Sequence, residues 1–591
     1  MALEKENIKS GDILDSQVLK KLYQFVKPYK SRFYFLVILT FLLALFAPLR
    51  PLLIQIAIDD YVAYGDAEGL LWMTYLLVGL LLIHSVVQFG HTYLSGWLGQ
   101  VIIRDIRVKL YRHLLKMKLK FFDKTPIGRL VTRNISDVET LSDVFSQGLA
   151  EIIGDLLQLV SILAVMFYVD WKLTLVSLCT LPLLVISTYV FKEKVKVSFN
   201  DVRNAVSNLN SFLQEHITGM NIIQVFNREK REFEKFKVIN KEHRRAHLKS
   251  VLYYSVYYPV AEIIQAIGIG LVVWYGATGV FDLEIKVGVL ISFIMYLQLF
   301  FRPIRMIADR FNTLQMGVVS SSRIFSLLES RDQISNEGAF APEKIKGNIQ
   351  FEKVWFAYDK QEWVLKNINL QVNHGETVAL VGATGAGKSS IINLISRFYD
   401  IQKGKIKIDG TDIKDYELAT LRKHVGVVLQ DVFLFSDSIF QNITLGNPEI
   451  KRDQVLYAAE LVGARKFIEK LPGGLDYDVK ERGGTLSGGQ RQLISFVRAM
   501  VYDPEIIILD EATSSVDTET EELIQGAIEK MMQGRTSIII AHRLSTIQKA
   551  EKIIVLHQGE IKEQGKHEDL LNQEGYYAQL HQMQMKSMVI N

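Results

Sequence analysis

Cysteine is almost absent from this chain of 591 residues, which contains only Cys179. A single cysteine excludes an intrachain disulfide bond, and its position in an apolar run predicts a small buried side chain rather than a reactive thiol. The opening residues, MALEKENIKSGDILD, lack the apolar core of a targeting sequence, so we expect neither a signal nor a transit peptide. The net charge is only +4, and no basic tract has the form of a nucleic-acid-binding arm. We therefore expect no nucleic-acid partner.

Charge is also missing from long stretches of the first half. From Gly69 to Ile103 the chain has no Asp, Glu, Lys or Arg. As a helix rising about 1.5 Å per residue, this stretch would span roughly 50 Å, whereas about 20 apolar residues cross the bilayer core. Number and length favour membrane helices over buried helices of a soluble protein. The six apolar segments lie near 33–58, 69–98, 148–169, 173–192, 252–280 and 283–307.

Positive charge is concentrated in two of the connections between these segments. Ten Lys and Arg residues lie between 104 and 133, and the stretch 194–249 is similarly basic, whereas 59–68 is short and acidic. Because Lys and Arg are enriched in cytoplasmic loops, we expect both chain ends inside the cell. The basic connections contain little Pro or Gly apart from Pro126, Gly128 and Gly219. This composition predicts that they continue the membrane helices into the cytoplasm.

Polar residues interrupt the apolar segments at a few positions, where an unpaired group is costly. They include His84, Gln88 and His91 at helical spacing, and Arg50 between two prolines. Two interpretations stay open for them: a water-filled pathway, or hydrogen bonds between helices. Further polar residues are Glu262 and Gln265 in the fifth segment, with Glu262 favouring the pathway, and Glu151 and Asp155, which we expect to be solvated or paired near the cytoplasmic end.

A polar, aperiodic stretch at 332–348 indicates a linker, after which short β-rich runs alternate with helices. TVALV (377–381) predicts a buried strand, followed by GATGAGKSS and an amphipathic helix through Phe398. This is the context of a phosphate-binding loop, because glycines let backbone N–H groups surround a phosphate at a helix N-terminus. The expected loop glycines are Gly382, Gly385 and Gly387, with Lys388 on the β and γ oxygens and Ser389 on Mg²⁺.

Two further apolar runs each end in candidate catalytic side chains. IIILDEAT (506–513) predicts a buried strand followed by Asp510, which we expect in the magnesium shell. Glu511 is then the candidate that orients the attacking water and accepts its proton. TSIIIAH (536–542) predicts another strand, which would bring His542 to the γ-phosphate.

The ordered motifs GATGAGKSS, LQ (429–430), LSGGQ (486–490), IIILDEAT, SSVD (514–517) and AH (541–542) resemble the nucleotide-binding domain of an ATP-binding cassette (ABC) transporter. With six membrane segments before it, the whole chain resembles an exporter half-transporter of the type IV, multidrug and lipid-exporting group. The resemblance implies an all-α six-helix transmembrane domain followed by an α/β P-loop NTPase (ABC ATPase) domain. The expected domains are an N-terminal cytoplasmic segment (1–32), the transmembrane domain (33–330), a linker (331–348) and the ATPase domain (349–591).

The family resemblance also implies roles for individual residues. Tyr358 matches the aromatic that stacks on adenine, Gln430 the glutamine that meets Mg²⁺ and senses the membrane domain, and Asp517 the acid that links two sites. The catalytic set implied is Glu511, His542 and Gln430, and the magnesium set is Ser389, Gln430 and Asp510. The ATP-binding set implied is Tyr358, Gly382, Thr384, Gly385, Gly387, Lys388, Ser389, Ser390, Ser487, Gly488, Gly489, Gln490 and Asp517.

Two segments, 124–141 and 216–232, are similar to the family's intracellular segments that hold the coupling helices. One position departs from the family pattern, because Lys480 stands where the family often has glycine.

In this family LSGGQ contacts the nucleotide bound by a second chain, so the resemblance implies a dimer, preferably of identical chains. A heterodimer stays open. The implied function is ATP-driven export of a drug-like or lipid substrate from the bacterial plasma membrane, with the ATPase domain cytoplasmic. The alternative is an ATPase or regulator that uses the same machinery without net transport.

Overall fold

The computed structural model of the protein describes residues 16–144, 150–281, 285–334, 336–359, 362–510, 518–540 and 544–590. The described chain divides into two compact units. The first holds the residues through Leu115 together with Pro126–Arg331, and the second holds Lys116–Thr125 together with the residues from Asp332 onward. The segment 116–125, which the sequence alone assigned to the membrane domain, therefore packs with the ATPase sheets.

The first unit is helical, and six of its described helical stretches are long and apolar enough to cross a membrane. Their candidate spans agree with the six predicted segments. The helices of this part of the chain, with α5 in the second unit, are α1 (Ser16–Val26), α2 (Lys30–Phe46), α3 (Leu49–Ile56), α4 (Ala67–Leu114), α5 (Leu119–Lys124), α6 (Ile127–Thr132), α7 (Val138–Asp143), α8 (Ala150–Val169), α9 (Trp171–Leu178), α10 (Leu181–Thr218), α11 (Met220–Val225), α12 (Glu229–Phe281) and α13 (Val287–Leu328).

The predicted continuation of the membrane helices holds for the second basic connection, where α10 ends at Thr218 with Gly219 as its C-cap and α12 runs for 53 residues. In the first basic connection the 48-residue α4 ends at Leu114 and the helix is interrupted at 115–118 and again at 125–126. Between these breaks lies the short α5, and after them a continuous helical stretch runs through α6, a π-helical segment (Arg133–Asp137) and α7, so the prediction holds there in part. Pro126, which has no backbone N–H, lies directly before α6 and is compatible with a helix start but not with a helix interior.

The prediction that Cys179 is buried is wrong, because its side chain is exposed. The reason lies in the solvent. An apolar run in a soluble protein indicates a core, but in a membrane segment the lipid is as apolar as a core, so apolar residues need not face protein.

The second unit contains two sheets, which carry the site described below. Four strands form an antiparallel sheet in the order β2-β1-β4-β5, and six form a mainly parallel sheet in the order β10-β9-β3-β8-β7-β6. The strands are β1 (Ile349–Phe356), β2 (Leu365–Val372), β3 (Thr377–Val381), β4 (Lys403–Ile408), β5 (Thr411–Asp412), β6 (Val425–Val428), β7 (Ile506–Asp510), β8 (Thr536–Ile540), β9 (Lys552–His557) and β10 (Glu560–Gly565).

The helices of the second unit flank the six-stranded sheet. They are α14 (Lys388–Ile395), α15 (Leu418–His424), α16 (Ile439–Thr444), α17 (Arg452–Leu461), α18 (Arg465–Lys470), α19 (Gly488–Val501), α20 (Thr518–Met532), α21 (Leu544–Lys549), α22 (His567–Asn572) and α23 (Tyr576–Ile590).

Helix α14 ends at Ile395, three residues before the predicted end, because Arg397 takes a left-handed backbone conformation with φ of 50°.

Side chains of each parallel strand alternate between two hydrophobic clusters. On β7, Ile507 and Leu509 join one cluster, while Ile506 and Ile508 join the other. This burial on both faces explains why the parallel strands read as unbroken apolar runs in the sequence. Helix α14 packs in the cluster of Ile506, and helix α19 packs in the cluster of Ile507.

Candidate functional site

The phosphate loop connects β3 to α14, as the sequence predicts. Its glycines take left-handed or extended conformations that open space for the backbone, with φ of 84° at Gly385 and 103° at Gly387. A Cβ atom on Gly382 would lie 2.3 Å from the carbonyl oxygen of Leu556 on β9. A side chain at that position would therefore push the loop away from the sheet, which accounts for glycine there.

The Lys388 ammonium group is held inside this loop. Lys388 opens α14 and is only 7% exposed. Its Nζ donates hydrogen bonds to the carbonyl oxygens of Gly382, at 2.6 Å, and Ala383, at 3.1 Å. Burial lowers the pKa of Lys388, while the negative charge of Asp510 acts in the opposite direction. The side chain is thus a buried cation next to the backbone that would surround a phosphate.

The hydroxyl-bearing residues around the loop differ in exposure. Thr384 and Ser389 are exposed, whereas Ser390 is 5% exposed and its hydroxyl is 3.0 Å from the Tyr358 hydroxyl. Ser390 therefore contacts Tyr358, and Ser389 is the serine of α14 that is available to a ligand.

Tyr358 follows β1 and lies in an aromatic cluster. Its ring meets those of Phe356 and Tyr399 edge to face, with centroids 4.8 and 5.0 Å away. Its position is thereby fixed by neighbours on both sides, and the side chain remains partly accessible.

The carboxyl ends of the parallel strands bring the acidic and amide candidates to the edge where the phosphate loop begins. Asp510 is paired in register with Ile540 on β8, and Ile540 is paired with Leu380 on β3. Gln430 is exposed two residues after β6, the strand next to β7. Ligands of open α/β sheets bind outside the carboxyl ends of their strands. The predictions for Glu511, Asp517 and His542 lie outside the described residues.

The LSGGQ sequence caps helix α19. The Ser487 hydroxyl accepts a hydrogen bond from the Gln490 backbone N–H, and the Gln490 side chain accepts one from the Ser487 N–H. The side chain of Gln490 thus serves the helix cap. Ser487 and Gly488 are exposed, Gly489 is buried, and a Cβ atom on Gly488 would meet open space.

Residues 116–125 contact the neighbourhood of Tyr358, which the sequence did not predict. The Tyr399 hydroxyl donates a hydrogen bond to Asp123, at 2.5 Å, and Lys124 pairs with Asp359, also at 2.5 Å. The expected coupling segment 124–141 overlaps this stretch only at its first two residues. The alternation of Lys with apolar residues at 116–120 gave no signal of docking, since charged residues at such spacing occur on many exposed helices.

A cavity of about 1170 Å³ lies within the first unit, between α2, α3, α4, α8 and α13. Arg50, His84, Gln88 and His91 line it, and His91 also lies 3.1 Å from the Thr40 hydroxyl. Both interpretations of these polar residues therefore have support. Glu262 is exposed on α12 and is not part of the described lining.

The acidic residues of α8 also line the cavity and are paired, as expected. Arg310 pairs with Glu151 and with Asp155, the latter at 3.0 Å. Arg302 is a further lining residue that was not predicted from the sequence. Its signal was present, because a charge inside the sixth apolar run is as unusual as the polar residues that were noticed.

Comparisons with known proteins agree with this geometry. The family model for the ABC transporter transmembrane region matches residues 33–304, and the ABC transporter model matches residues 365–514. The uncharacterized ABC transporter ATP-binding protein YknV of Bacillus subtilis (strain 168) is 39% identical over 96% of this chain and 95% of its own length.

Two further relatives carry functional names. The ATP-dependent lipid A-core flippase of Syntrophus aciditrophicus (strain SB) is 35% identical over 96% of this chain and 95% of its own length. The putative multidrug export ATP-binding/permease protein YgaD of Bacillus subtilis (strain 168) is 35% identical over 96% of this chain and 99% of its own length. With six membrane-length helices and a phosphate loop at a parallel sheet edge, the chain belongs to the ABC transporter family, as a multi-pass membrane protein that binds ATP and couples its hydrolysis to transport.

Proposed function

We propose that the chain is one half of an ATP-driven exporter that moves a hydrophobic or amphipathic substrate, drug-like or lipid, out of the cytoplasm or inner leaflet. Relatives named as a multidrug exporter and as a lipid A-core flippase, each aligned over 96% of this chain, support export rather than import. The observation that carries the proposal is the shared sheet edge of a chain with six membrane-length helices, where the Lys388 loop follows β3, Asp510 ends β7 and Gln430 follows β6 of the same parallel sheet.

The donor set at this edge suits magnesium. Ser389 offers an exposed hydroxyl, Asp510 a carboxylate and Gln430 an amide carbonyl, all of them the oxygen ligands that Mg²⁺ prefers. Mg²⁺ held there would neutralise charge on the β- and γ-phosphate oxygens. Lys388 would bind the same oxygens from inside the loop, and Tyr358 would stack on the adenine.

The remaining chemical roles fall to residues next to the strand ends. In this proposal Glu511 orients the attacking water and accepts its proton, and His542 contacts the γ-phosphate. Asp517 links the two ATP sites of the dimer, and Gln430 relays the state of the magnesium site to the membrane domain. Apart from the proton transfer to Glu511, these roles require only positioning and charge, which supply most of the catalysis of phosphoryl transfer in P-loop enzymes.

The second half of each ATP site comes, in this proposal, from the LSGGQ sequence of another copy of the chain. Helix α19 and the phosphate-loop helix α14 pack in different hydrophobic clusters, on opposite faces of the sheet. The exposed Ser487 and Gly488 at the start of the 14-residue α19 offer N–H donors and a positive helix end to an anion outside their own chain. ATP then favours a closed dimer, hydrolysis removes that preference, and the membrane helices alternate between inward and outward access.

A complementation experiment tests the two-chain site. Gly488→Asp places a carboxylate at the phosphate-binding end of α19, and it should fold well because open space surrounds the position and an acid suits a helix start. Lys388→Met disables the phosphate loop. Each variant alone should fail to trap nucleotide with vanadate, but mixed dimers should trap it, because one of their two sites combines an intact loop with an intact α19. Equal failure of mixed dimers would overturn the two-chain site.

Transport itself is tested in inside-out membrane vesicles. ATP should drive the accumulation of a fluorescent amphipathic compound inside these vesicles, and the Glu511→Gln variant should bind ATP but no longer accumulate the compound. The alternative function, an ATPase or regulator without net transport, predicts substrate-sensitive ATPase activity with no accumulation in the unmodified protein. Protease should cleave the ATPase domain and both termini only in inside-out vesicles, since we propose that they lie in the cytoplasm below a bacterial plasma membrane.

A further inference from the structure

The cavity of the first unit is unusual in the distribution of its charges. Its described lining includes Arg50, Arg302 and Arg310 against two carboxylates, Glu151 and Asp155. Arg310 pairs with both carboxylates, and Arg302 interacts electrostatically with Asp155 as well. Arg302 and Arg310 therefore share the two negative charges, and the described lining carries a surplus of positive charge.

Arg50 is the clearest part of this surplus. It lies at the start of α3, its side chain is exposed, and among the described residues it forms no hydrogen bond or ion pair. Arg302 is likewise exposed and forms no hydrogen bond within the described chain. A guanidinium group at membrane depth is costly unless a partner of opposite charge or water satisfies it. Five N–H donors in a planar fork suit a phosphate, sulfate or carboxylate.

The two arginines project from helices that are held side by side. Tyr296 on α13 donates a hydrogen bond to the Pro48 carbonyl, at 3.1 Å, and Ser292 donates one to the Gln55 side chain, at 3.2 Å. These contacts set α3 and α13 antiparallel, so Arg50 lies close to the level of residue 295 on α13. Since Arg302 is about two helical turns from that level, the backbone positions of the two arginines are separated by roughly 10 Å along the helix axis, a distance that two long side chains can bridge toward one ligand.

The rest of the cavity wall is apolar. Leu43, Leu77, Leu81 and Leu299 contribute to it. At about 1170 Å³ the cavity exceeds the range of roughly 300–1,000 Å³ that is usual for small-molecule sites. It therefore has room for an acidic group and a sizeable apolar body in the same molecule.

We propose that this cavity selects amphiphiles with an acidic head group, which Arg50 and Arg302 contact, and that the apolar wall binds the remainder of the molecule. The inference rests on the proposed export function and adds the charge class of the substrate. The acidic head group is common to anionic lipids and to soluble anionic amphiphiles, and the experiment separates these two sources.

The test compares matched probes in inside-out vesicles and in proteoliposomes. Fluorescein and rhodamine 123 share a xanthene ring system but carry negative and positive charge, respectively. Fluorescent phosphatidylglycerol and phosphatidylcholine with the same acyl chains provide the lipid comparison. We expect ATP-dependent movement of fluorescein over rhodamine 123 if soluble amphiphiles are substrates, and of phosphatidylglycerol over phosphatidylcholine if lipids are.

Four variants separate the site from general damage. Arg50→Gln and Arg302→Gln should each weaken the apparent affinity for the preferred acidic probe roughly tenfold or more, because a hydrogen bond to a charged group is lost. Arg305→Gln, three residues from Arg302 and outside the described lining, should match the unmodified protein. Arg302→Glu should shift preference toward rhodamine 123, which misfolding does not produce.

The outcomes distinguish the inference from the function on which it rests. ATP-dependent transport that prefers the cationic or zwitterionic probe, or arginine variants that keep the affinity of the unmodified protein, would overturn the charge selection and leave export intact. Transport of none of the four probes, with ATPase activity present, would overturn export and this inference together.

Discussion

The hydroxyl group of Tyr399 makes the most informative single perturbation of the ATPase unit. Tyr399 is 9% exposed, and burial together with the hydrogen bond to Asp123 raises the pKa of its phenol, so it remains a donor at any working pH. Tyr399→Phe removes this donor but keeps the ring that packs against Tyr358 and Phe356. The substitution should loosen segment 116–125 while leaving the aromatic cluster beside the ATP site in place.

The magnitude follows from comparing the polar links that hold this segment. The Lys118–Asp400 ion pair joins half-exposed side chains and contributes about 0–1 kcal/mol, whereas the side chains of the Lys124–Asp359 pair are exposed, so solvent screens that pair further. A hydrogen bond from a largely buried hydroxyl to a carboxylate contributes about 1.5–3 kcal/mol. Among these side-chain links the Tyr399 hydrogen bond should therefore dominate, and its loss should raise the opening equilibrium of α5 roughly 10- to 150-fold, whereas residues 116–118 stay tied to 332–334 by two backbone hydrogen bonds.

Hydrogen–deuterium exchange on the full-length protein measures this opening. Backbone amides of α5 should exchange at least about tenfold faster in Tyr399→Phe, with ATP affinity close to that of the unmodified protein. The matched control is Lys124→Ala, which removes an exposed ion pair on the same segment and should change exchange by less than about fivefold. An effect of Lys124→Ala equal to or larger than that of Tyr399→Phe would refute the ranking of these contacts.

Three further changes test other parts of the structure. Gly382→Ala should abolish ATP binding, because its Cβ would lie 2.3 Å from a strand carbonyl oxygen. Gly526→Ala, with open space around it in helix α20, should leave the protein's stability unchanged or increase it by about 1 kcal/mol. ATP-binding and thermal-unfolding measurements would contradict this if the two variants behaved alike. Lys480→Gly should raise the unfolding temperature, because the backbone of Lys480, with φ of 59° and ψ of −171°, lies in a region of conformational space that favours glycine and costs other residues about 1–3 kcal/mol. An unfolding temperature below that of the unmodified protein would contradict this strain. Burial raises the pKa of Asp409, but hydrogen bonds from the 346–348 backbone and an asparagine side chain outweigh it and leave the pKa low. A carboxyl group whose pKa is lowered in the folded state stabilises the fold above its unfolded pKa of about 3.9, and this stabilisation is lost as the pH falls through the folded-state pKa. Asp409→Asn should therefore lower the unfolding temperature at pH 7, and the difference from the unmodified protein should shrink below about pH 4. A difference that does not depend on pH would argue against this ionisation.

The strands that carry the ATP site were predictable because each signal is local. The mainly apolar run TVALV is followed by a glycine, and the apolar run IIIL ends at Asp510. The structure forms β3 at 377–381 and β7 at 506–510. The start of α19 was equally local, since Ser487 and Gln490 form a capping box. The order of the strands was not local. It is set by pairing between distant segments, such as Thr377 on β3 with Ser537 on β8 and Val425 on β6 with Ile506 on β7, which a single sequence does not reveal.

For Lys480 the sequence showed that the residue departs from the family pattern, but only the structure shows the reason. The resemblance indicated glycine at this position but gave no reason for it. The reason is the backbone, which turns through a conformation with φ of 59° just before the LSGGQ sequence. The departure is therefore a matter of strain rather than of a lost contact, and the following residues still form the same helix cap.

In the membrane segments, several polar residues at helical spacing indicate which face of a helix they share, whereas a single polar residue does not. His84, Gln88 and His91 recur at intervals of four and three residues, so they lie on one face of α4, and all three line the same cavity. Glu262 has no polar companion in the described cavity lining, and its side chain is exposed on α12. Hydropathy identifies both kinds of residue as costly, but only a repeat at helical spacing fixes which side of the helix they share. Arg50 and Arg302 belong to different helices, so their common cavity became evident only when the packing of α3 against α13 was known.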